Sequence, residues 1–433
     1  MKTLMYVSSR IMGWMAVHPA VFGVRHGEED RSLCSVCMGH RRLCGKAMCP
    51  ILAKAETMMR LDRSLTDDKV FGSSPPAVFV GSWNYPRVMA GPLVPPSRPN
   101  EDTAIMDTPE LWVDKPFSEI LNYRLSLVKG KRFTDVRLAE NPNRILSIFQ
   151  EIVMSSRPTD TEMWFNKKPR LSLVFSPREP PSGPSASITR AVLAGNPQVP
   201  RPVDRVVSDI DLKADEGILL LYDSEISQQQ VTRLLSIGLL GVKKQRRLVP
   251  TEWSITAVDD ILGKAIHAEI LDYPWIDRFI VYGHEALGNN VRILLFPSSW
   301  MFEAQEAWHT SPNPLPEVNS ELVGGRQTYA TELAGAYYAV RLPVLEHLRR
   351  MRRQAGALVL MEVYPEWIPL GVWRFREICR EALRRQPVVC NSFSEAFNEV
   401  GKCLRLPLPV WLGRSEILRW LRTQTRLTSF PIF

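Results

Sequence analysis

Four cysteines within sixteen residues, Cys34, Cys37, Cys44 and Cys49, constrain this chain more than any other feature. A C-x2-C pair sets two thiolates on one tight turn, and the short loop to Cys44 lets the second pair fold back onto the same point. The spacing predicts a tetrahedral metal held by four thiolates, with zinc (Zn) as the expected ion. Sulfur then fills every coordination position and leaves none for substrate, so the metal is expected to be structural. Two disulfides, four free thiols or an iron–sulfur cluster are the alternatives these residues leave open. His40, at x2 spacing after Cys37, is a further donor that could replace one thiolate.

At 433 residues the chain can bury more than one core. The expected class is α+β or mixed α/β. Four parts are expected: an N-terminal segment with the cysteine module over 1–60, a mixed domain with proline-rich loops over 61–185, a main α/β domain over 186–423, and a short tail over 424–433. Proline, at 34 residues, predicts stiff loops, and PREPPSGPS at 177–185 reads as a linker or long loop. No apolar run reaches the roughly 18 residues a membrane span requires, so a cytoplasmic protein without membrane contact is expected. The apolar segment after Arg10 faintly resembles a signal peptide, but His18 and Pro19 interrupt it, and Met12 and Met15 are alternative starts. The net charge is +8, and from Arg341 to Phe433 sixteen Lys/Arg stand against eight Asp/Glu. The whole excess therefore sits in the last fifth of the chain, which permits an anionic partner.

Periodicity predicts several elements. Ile120, Leu121, Leu125 and Val128 share one side of a helix after Pro116, and a helix over 211–223 precedes another from Ser227 to Leu235 with Ser227 as N-cap. FIVYGHEALGNNVRILLFP reads as a hairpin about a Gly-Asn-Asn turn. GRQTYATELAGAYYAVRLPVLEHLRRMRRQ reads as helical to Gln354, ALVLMEV as a buried strand, and VWRFREICREALRRQ as a further helix.

Dinucleotide and P-loop glycine motifs are absent, as are H-E-x-x-H and G-x-S-x-G. Glu306 and His309 form a single Glu-x-x-His, which reads as a packed helix surface because a carboxylate-bridged metal site needs a second copy. Asp209 and Asp211 would share one side of a strand and could hold a metal or proton, or cap the following helix; Asp259 and Asp260 invite the same readings. Glu303 and Glu306, flanked by Trp300 and Trp308, are the pocket candidate, since tryptophan can stack a base or sugar while a carboxylate binds its hydroxyls. Core packing is the alternative. Arg376, Arg380 and Arg384 follow one another at i,i+4 spacing and could neutralise phosphates, with Arg349, Arg350, Arg352 and Arg353 on the preceding helix. Glu377 and Glu381 lie close enough to pair part of that charge internally.

The runs WNYPRVMAGPL (83–93), PSGPSA (181–186), NPQVPRPVDRVVSDIDLKA (196–214), LVPTEWSITAVDD (248–260) and GVWRFRE resemble the archaeal Nre family of DNA repair proteins. The resemblance covers nearly everything after residue 30. It implies a zinc-containing N-terminus, a large mixed domain, a role in repairing damaged DNA and recruitment to the replication sliding clamp of PCNA type. It does not imply a catalytic mechanism. A DNA-binding repair factor without chemistry of its own is therefore one expectation. A hydrolase removing a nucleotide-like adduct such as ADP-ribose from DNA is another, with Asp209, Asp211, Asp259, Asp260, Glu303 or Glu306 activating water. A zinc-stabilised RNA-binding protein of translation is the weakest. In the last ten residues, Gln424, Leu427 and Phe430 carry the spacing of sliding-clamp ligands: a glutamine for a polar pocket, then an aliphatic and an aromatic side chain leaving one helical turn together. Pro431 stands where a second aromatic is usual, and a tail packed on its own core is the competing expectation.

Overall fold

A computed structural model describes residues 68–170 and 181–423. The four cysteines, the first part of the proline-rich loop (177–180) and the tail with Gln424, Leu427 and Phe430 lie outside the described residues.

The first sheet is built from β1 (Lys69–Ser74), β2 (Val78–Val80), β3 (Arg87–Val94), β4 (Val128–Asp135), β5 (Thr159–Phe165) and β6 (Ser185–Leu193), in the order β1-β5-β6-β4-β3-β2. β4 and β6 run parallel and every other neighbouring pair antiparallel. Residue 185, where the sequence reading divides the chain, is the first residue of β6, which pairs with strands on the N-terminal side of that division. Strand alternation puts Val88, Ala90, Val128, Met163, Phe165 and Ile188 on the buried side, and the bulge at Thr189 brings Ala191 back to it.

Helices follow. α1 (Phe117–Ser126) buries Ile120, Leu121 and Leu125 against Ile368, Leu370 and Trp373. Val128, read with that helix, instead opens β4, because the backbone turns extended at Leu127. α2 (Arg144–Met154) is capped by Asn143 and α3 (Arg201–Ser208) follows Pro200. α4 spans Ala214–Asp223 and starts later than the expected 211 because Asp209 holds a turn with its own backbone. α5 (Gln228–Ser236) begins as expected at Ser227, whose hydroxyl accepts from the Gln230 amide at 3.2 Å. α6 (Thr251–Ile270) carries Asp259 and Asp260.

The second sheet combines β7 (Phe279–Ala286), β8 (Asn289–Phe296), β9 (Met301–Trp308), β10 (Glu317–Glu321), β11 (Gly356–Val363) and β12 (Val388–Cys390), in the order β10-β9-β11-β8-β7-β12. The hairpin β7–β8 forms, but it turns on Leu287 and Gly288, with φ of 51° and 66°, and Asn289 and Asn290 of the expected Gly-Asn-Asn turn open β8 instead. A Cβ at Gly288 would lie 2.7 Å from the Trp367 nitrogen, so glycine is required there for space as well as conformation. β11 is buried along all eight residues, as its continuous apolar run predicts, and lies antiparallel to β8 and parallel to β9. α7 (Gly335–Met351) begins later than the long helical reading because Ala334 has a positive φ, and it ends on Arg352 in the left-handed region. α8 (Trp373–Arg384) covers the same sheet face.

α9 (Phe393–Gly401), α10 (Leu408–Arg414) and α11 (Glu416–Thr423) cover the other face through Ala396, Val400, Trp411 and Ile417. A continuous core joins the inner face of the first sheet, helices α2 to α8 and the near face of the second. No helix among the described residues is long and apolar enough to cross a membrane.

Candidate functional site

α4, α7 and α8 meet around a cleft of about 270 Å³. Its floor is a charge network. Arg380 binds Glu346 through two parallel hydrogen bonds, Nε to Oε2 at 3.0 Å and Nη2 to Oε1 at 2.8 Å, and donates to Glu377 at 3.0 Å. Such bidentate pairs fix geometry as well as charge. The Tyr222 hydroxyl donates to Glu346 at 2.7 Å. Beneath it, Arg376 donates to both oxygens of Asp259 at 2.9 and 3.1 Å and to Glu377 at 3.1 Å. Burial would raise the Glu346 carboxyl, yet Arg380 and the Tyr222 hydroxyl hold it below its ordinary value. Burial likewise works against the Arg380 guanidinium, and Glu346 and Glu377 overcome it and raise its pKa.

The rim differs. Arg384 is 61% exposed, its nearest carboxylate Glu381 at 3.7 Å. Arg349 lies over the Tyr222 ring and 3.9 Å from Glu269, and Arg350 is exposed beside it. The i,i+4 arginines thus divide their labour. Arg376, 2% exposed, is taken up by internal carboxylates; Arg380 is largely so; Arg384 faces solvent with Arg349 and Arg350. Glu110, from the short 3-10 turn Pro109–Leu111, also lines the cleft, and its Oε2 is buried without a hydrogen-bond partner. Burial, with Glu377 nearby, pushes its carboxyl up. Sequence reasoning passed over Glu110 because it lies far from the arginines in the chain and no motif surrounds it. An arrangement of this kind can hold a phosphate at the rim and present one protonatable carboxyl beside it.

The acidic candidates do not converge on one site, contrary to expectation. Asp209, exposed, accepts from the amides of Asp211 and Leu212 at 3.0 Å each and so shapes the turn between α3 and α4. Asp260 is paired with Lys264 one helical turn on, at 2.5 Å. Asp259 belongs to the buried arginine network. Glu303 and Glu306 stand on β9, where an odd spacing puts them on opposite sheet faces. Glu303 accepts from the amides of Glu416 and Ile417 at 2.7 and 2.9 Å and caps α11. Glu306 faces the α7–α8 side, where burial pushes it up to about 7 against the pull of Arg374. Of the Glu-x-x-His pair, Glu306 therefore lies on a strand, not a helix, and His309, in the turn just after it, contacts Glu362 at 3.0 Å instead. Trp300 is core, its indole donating to Glu321 at 2.6 Å and its ring stacked on Phe302. Trp308 packs on Trp367. Among the described residues no group of His, Cys, Asp and Glu could hold a metal.

The family described as "Archaeal Nre, N-terminal" matches residues 43–312, and "Archaeal Nre, C-terminal" matches residues 321–430. The chain is 37% identical to DNA repair protein NreB of Archaeoglobus fulgidus over 90% of its own length and 98% of that protein's. It is 36% identical to DNA repair protein NreA of the same organism, covering 92% and 98% of the two chains. With DNA repair protein NreA of Haloferax volcanii the identity is 35%, over 88% and 94%. No solved structure matches.

Proposed function

Because the chain belongs to the archaeal Nre family, we propose that it is a DNA-repair protein that contacts DNA at the arginine-rimmed cleft and is recruited to the replication sliding clamp. The observation that carries the DNA-repair part of the reading is similarity over nearly the whole length of relatives named as DNA repair proteins. Arg349, Arg350 and Arg384 supply cations at the rim, while the neutralised floor keeps their geometry fixed. The tail residues Gln424, Leu427 and Phe430 engage the clamp, the aliphatic and aromatic side chains filling its apolar pocket. Cys34, Cys37, Cys44 and Cys49 fit zinc by donor chemistry, four soft thiolates with one close pair, and would hold it as a fold-stabilising ion.

Clamp binding by the full chain and by a chain ending at Thr423 decides the recruitment step. Abolished clamp binding with an unchanged melting temperature supports it; a lowered melting temperature with binding retained refutes it. Metal analysis of the purified protein should find one zinc per chain, and a brown iron-containing product would refute the assignment. Charge reversal at Arg349, Arg350 and Arg384 should weaken DNA binding and flatten its salt dependence, by roughly one slope unit for each phosphate that the rim no longer neutralises.

Glu110 favours a second reading, hydrolysis of a nucleotide-like adduct such as ADP-ribose on DNA. A carboxyl whose Oε2 is buried without a partner and whose pKa is raised, beside the rim arginines, has the composition of a general acid and its anchor. Glu110→Gln should then abolish release of the adduct while leaving DNA affinity intact; release at the unchanged rate refutes it.

A further inference from the structure

The face of the first sheet turned away from the core carries aromatic rings, each beside a cation. Phe133 on β4 is 48% exposed, with the Arg87 guanidinium 6.0 Å from its ring centre. On β5, Trp164 lies under Arg190 at 4.6 Å and Lys69 at 5.3 Å. Lys129 sits 3.8 Å over Phe79 on β2. The register places these side chains on one face, because Phe133 pairs with Met89, Trp164 pairs with both Lys69 and Arg190, and Phe79 pairs with Gly91 on β3, two residues from Met89. On β6, between β4 and β5, the exposed Ser187 and Thr189 are small, and the exposed Arg190 is the cation over Trp164. Two strand spacings separate β4 from β5, about 10 Å.

The loop between β2 and β3 extends the surface. Trp83 is 71% exposed and lies 6.4 Å from Phe133. Asn84, with φ of 63°, turns the chain so that Tyr85 packs instead on Trp253, 5.3 Å away. Two of the runs that resemble the Nre family, WNYP and PTEW, meet at that contact, and it leaves Trp83 standing. Exposed Arg87, Arg137 and Arg190 surround the rings, while of the nearby acids Glu162 is paired with Lys69 and Asp135 holds the Arg137 amide.

We propose that this face binds an unpaired nucleic-acid strand, its bases stacking on Trp83, Phe133 and Trp164 and its phosphates meeting Arg87, Arg137 and Arg190. Every base has a π-face, so rings ranged over a basic sheet hold a strand without reading its sequence. A duplex hides those π-faces in its own stack and gains only the cations. A protein partner would leave the arginines to be neutralised by carboxylates; a strand supplies one phosphate for each base it stacks. The proposal goes beyond the cleft reading, since it uses the other sheet and none of the cleft's arginines.

The test titrates the full chain with labelled single-stranded DNA, single-stranded RNA of the same sequence and duplex DNA, following tryptophan quenching and label anisotropy. Wild type should hold the single strand more tightly than the duplex. Trp83→Ala and Phe133→Ala, at solvent-exposed positions where folding is spared, should each weaken single-strand binding about fivefold or more. Arg190→Glu should lower its salt slope by about one. Equal binding of DNA and RNA supports the platform, and a preference for either names the natural strand. Duplex binding as tight as single-strand binding overturns the proposal, as does unchanged affinity in the Trp83→Ala/Phe133→Ala double variant. Single-strand binding that disappears only on reversing Arg349 and Arg384 overturns it too and leaves the cleft reading standing. Self-association relieved by Trp83→Ala, without strand binding, would show that the occupant is a second copy.

Discussion

The two sheets have six strands each and opposite surroundings. The second is covered on both faces, by α7 and α8 on one side and by α9 to α11 on the other, and its central β11 has no exposed residue. The first buries one face and leaves aromatic and basic residues on the other. A sheet clad on both sides can only be a scaffold, and its polar groups must find partners within it. A sheet with one free face can carry recognition with little effect on the fold.

Four substitutions can break or sharpen that comparison. The largest effect is expected for Phe302→Ala on β9, which removes a fully buried ring packed on Trp300 and Tyr337. It should cost about 3–5 kcal/mol, whereas Phe133→Ala on the open face should stay within about 0.5 kcal/mol. Denaturant unfolding measures both, and similar values for the two would erase the distinction.

Glu306 comes next. Its folded pKa of about 7 lies above the ordinary 4.5, so the folded state keeps a proton that the unfolded chain releases. The stability this neutral carboxyl contributes is full below pH 4.5 and is lost as pH rises towards 7. Glu306→Gln should therefore gain on wild type between pH 4.5 and 8, by up to about 3 kcal/mol. A stability difference independent of pH would mean that Glu306 is ionised throughout.

The smallest effect among the buried positions is expected for Glu303→Leu on the opposite face of the same strand. It strands two amides at the start of α11 and should cost about 2 kcal/mol, with exchange protection lost in α11 first.

Much of the secondary structure was legible because it rests on local signals. Ser227 caps its helix, the apolar runs around Gly288 pair as a hairpin although the turn sits on Leu287-Gly288 rather than Gly-Asn-Asn, and the apolar run at 357–363 lies in a strand buried along its whole length. The acids were misjudged as a group for a different reason. Glu303 and Glu306 are three apart, which joins them on a helix and separates them on a strand, and FEAQEAW gives no firm choice of period. Arg376, Arg380 and Arg384 share a helix stripe, yet only tertiary packing decides which arginine meets Asp259 and Glu346 and which meets solvent. Glu110 enters the cleft through a contact distant in sequence that no pattern records. Trp83 was visible only as part of a family motif, since exposure is a property of the folded loop.

The position of β11 has a consequence for how the chain reaches its fold. β8 and β9 follow one another at 289–296 and 301–308, yet they never pair, because residues 356–363 occupy the slot between them. During synthesis both strand edges emerge before the strand that fills the gap. Until Gly356–Val363 arrives, the nascent sheet presents two unsatisfied edges that could pair with each other out of order or with a neighbouring chain. Assembly is thus committed late, by a long-range insertion that ordinarily slows folding. Fragments ending before residue 356 should aggregate rather than stand as a smaller domain.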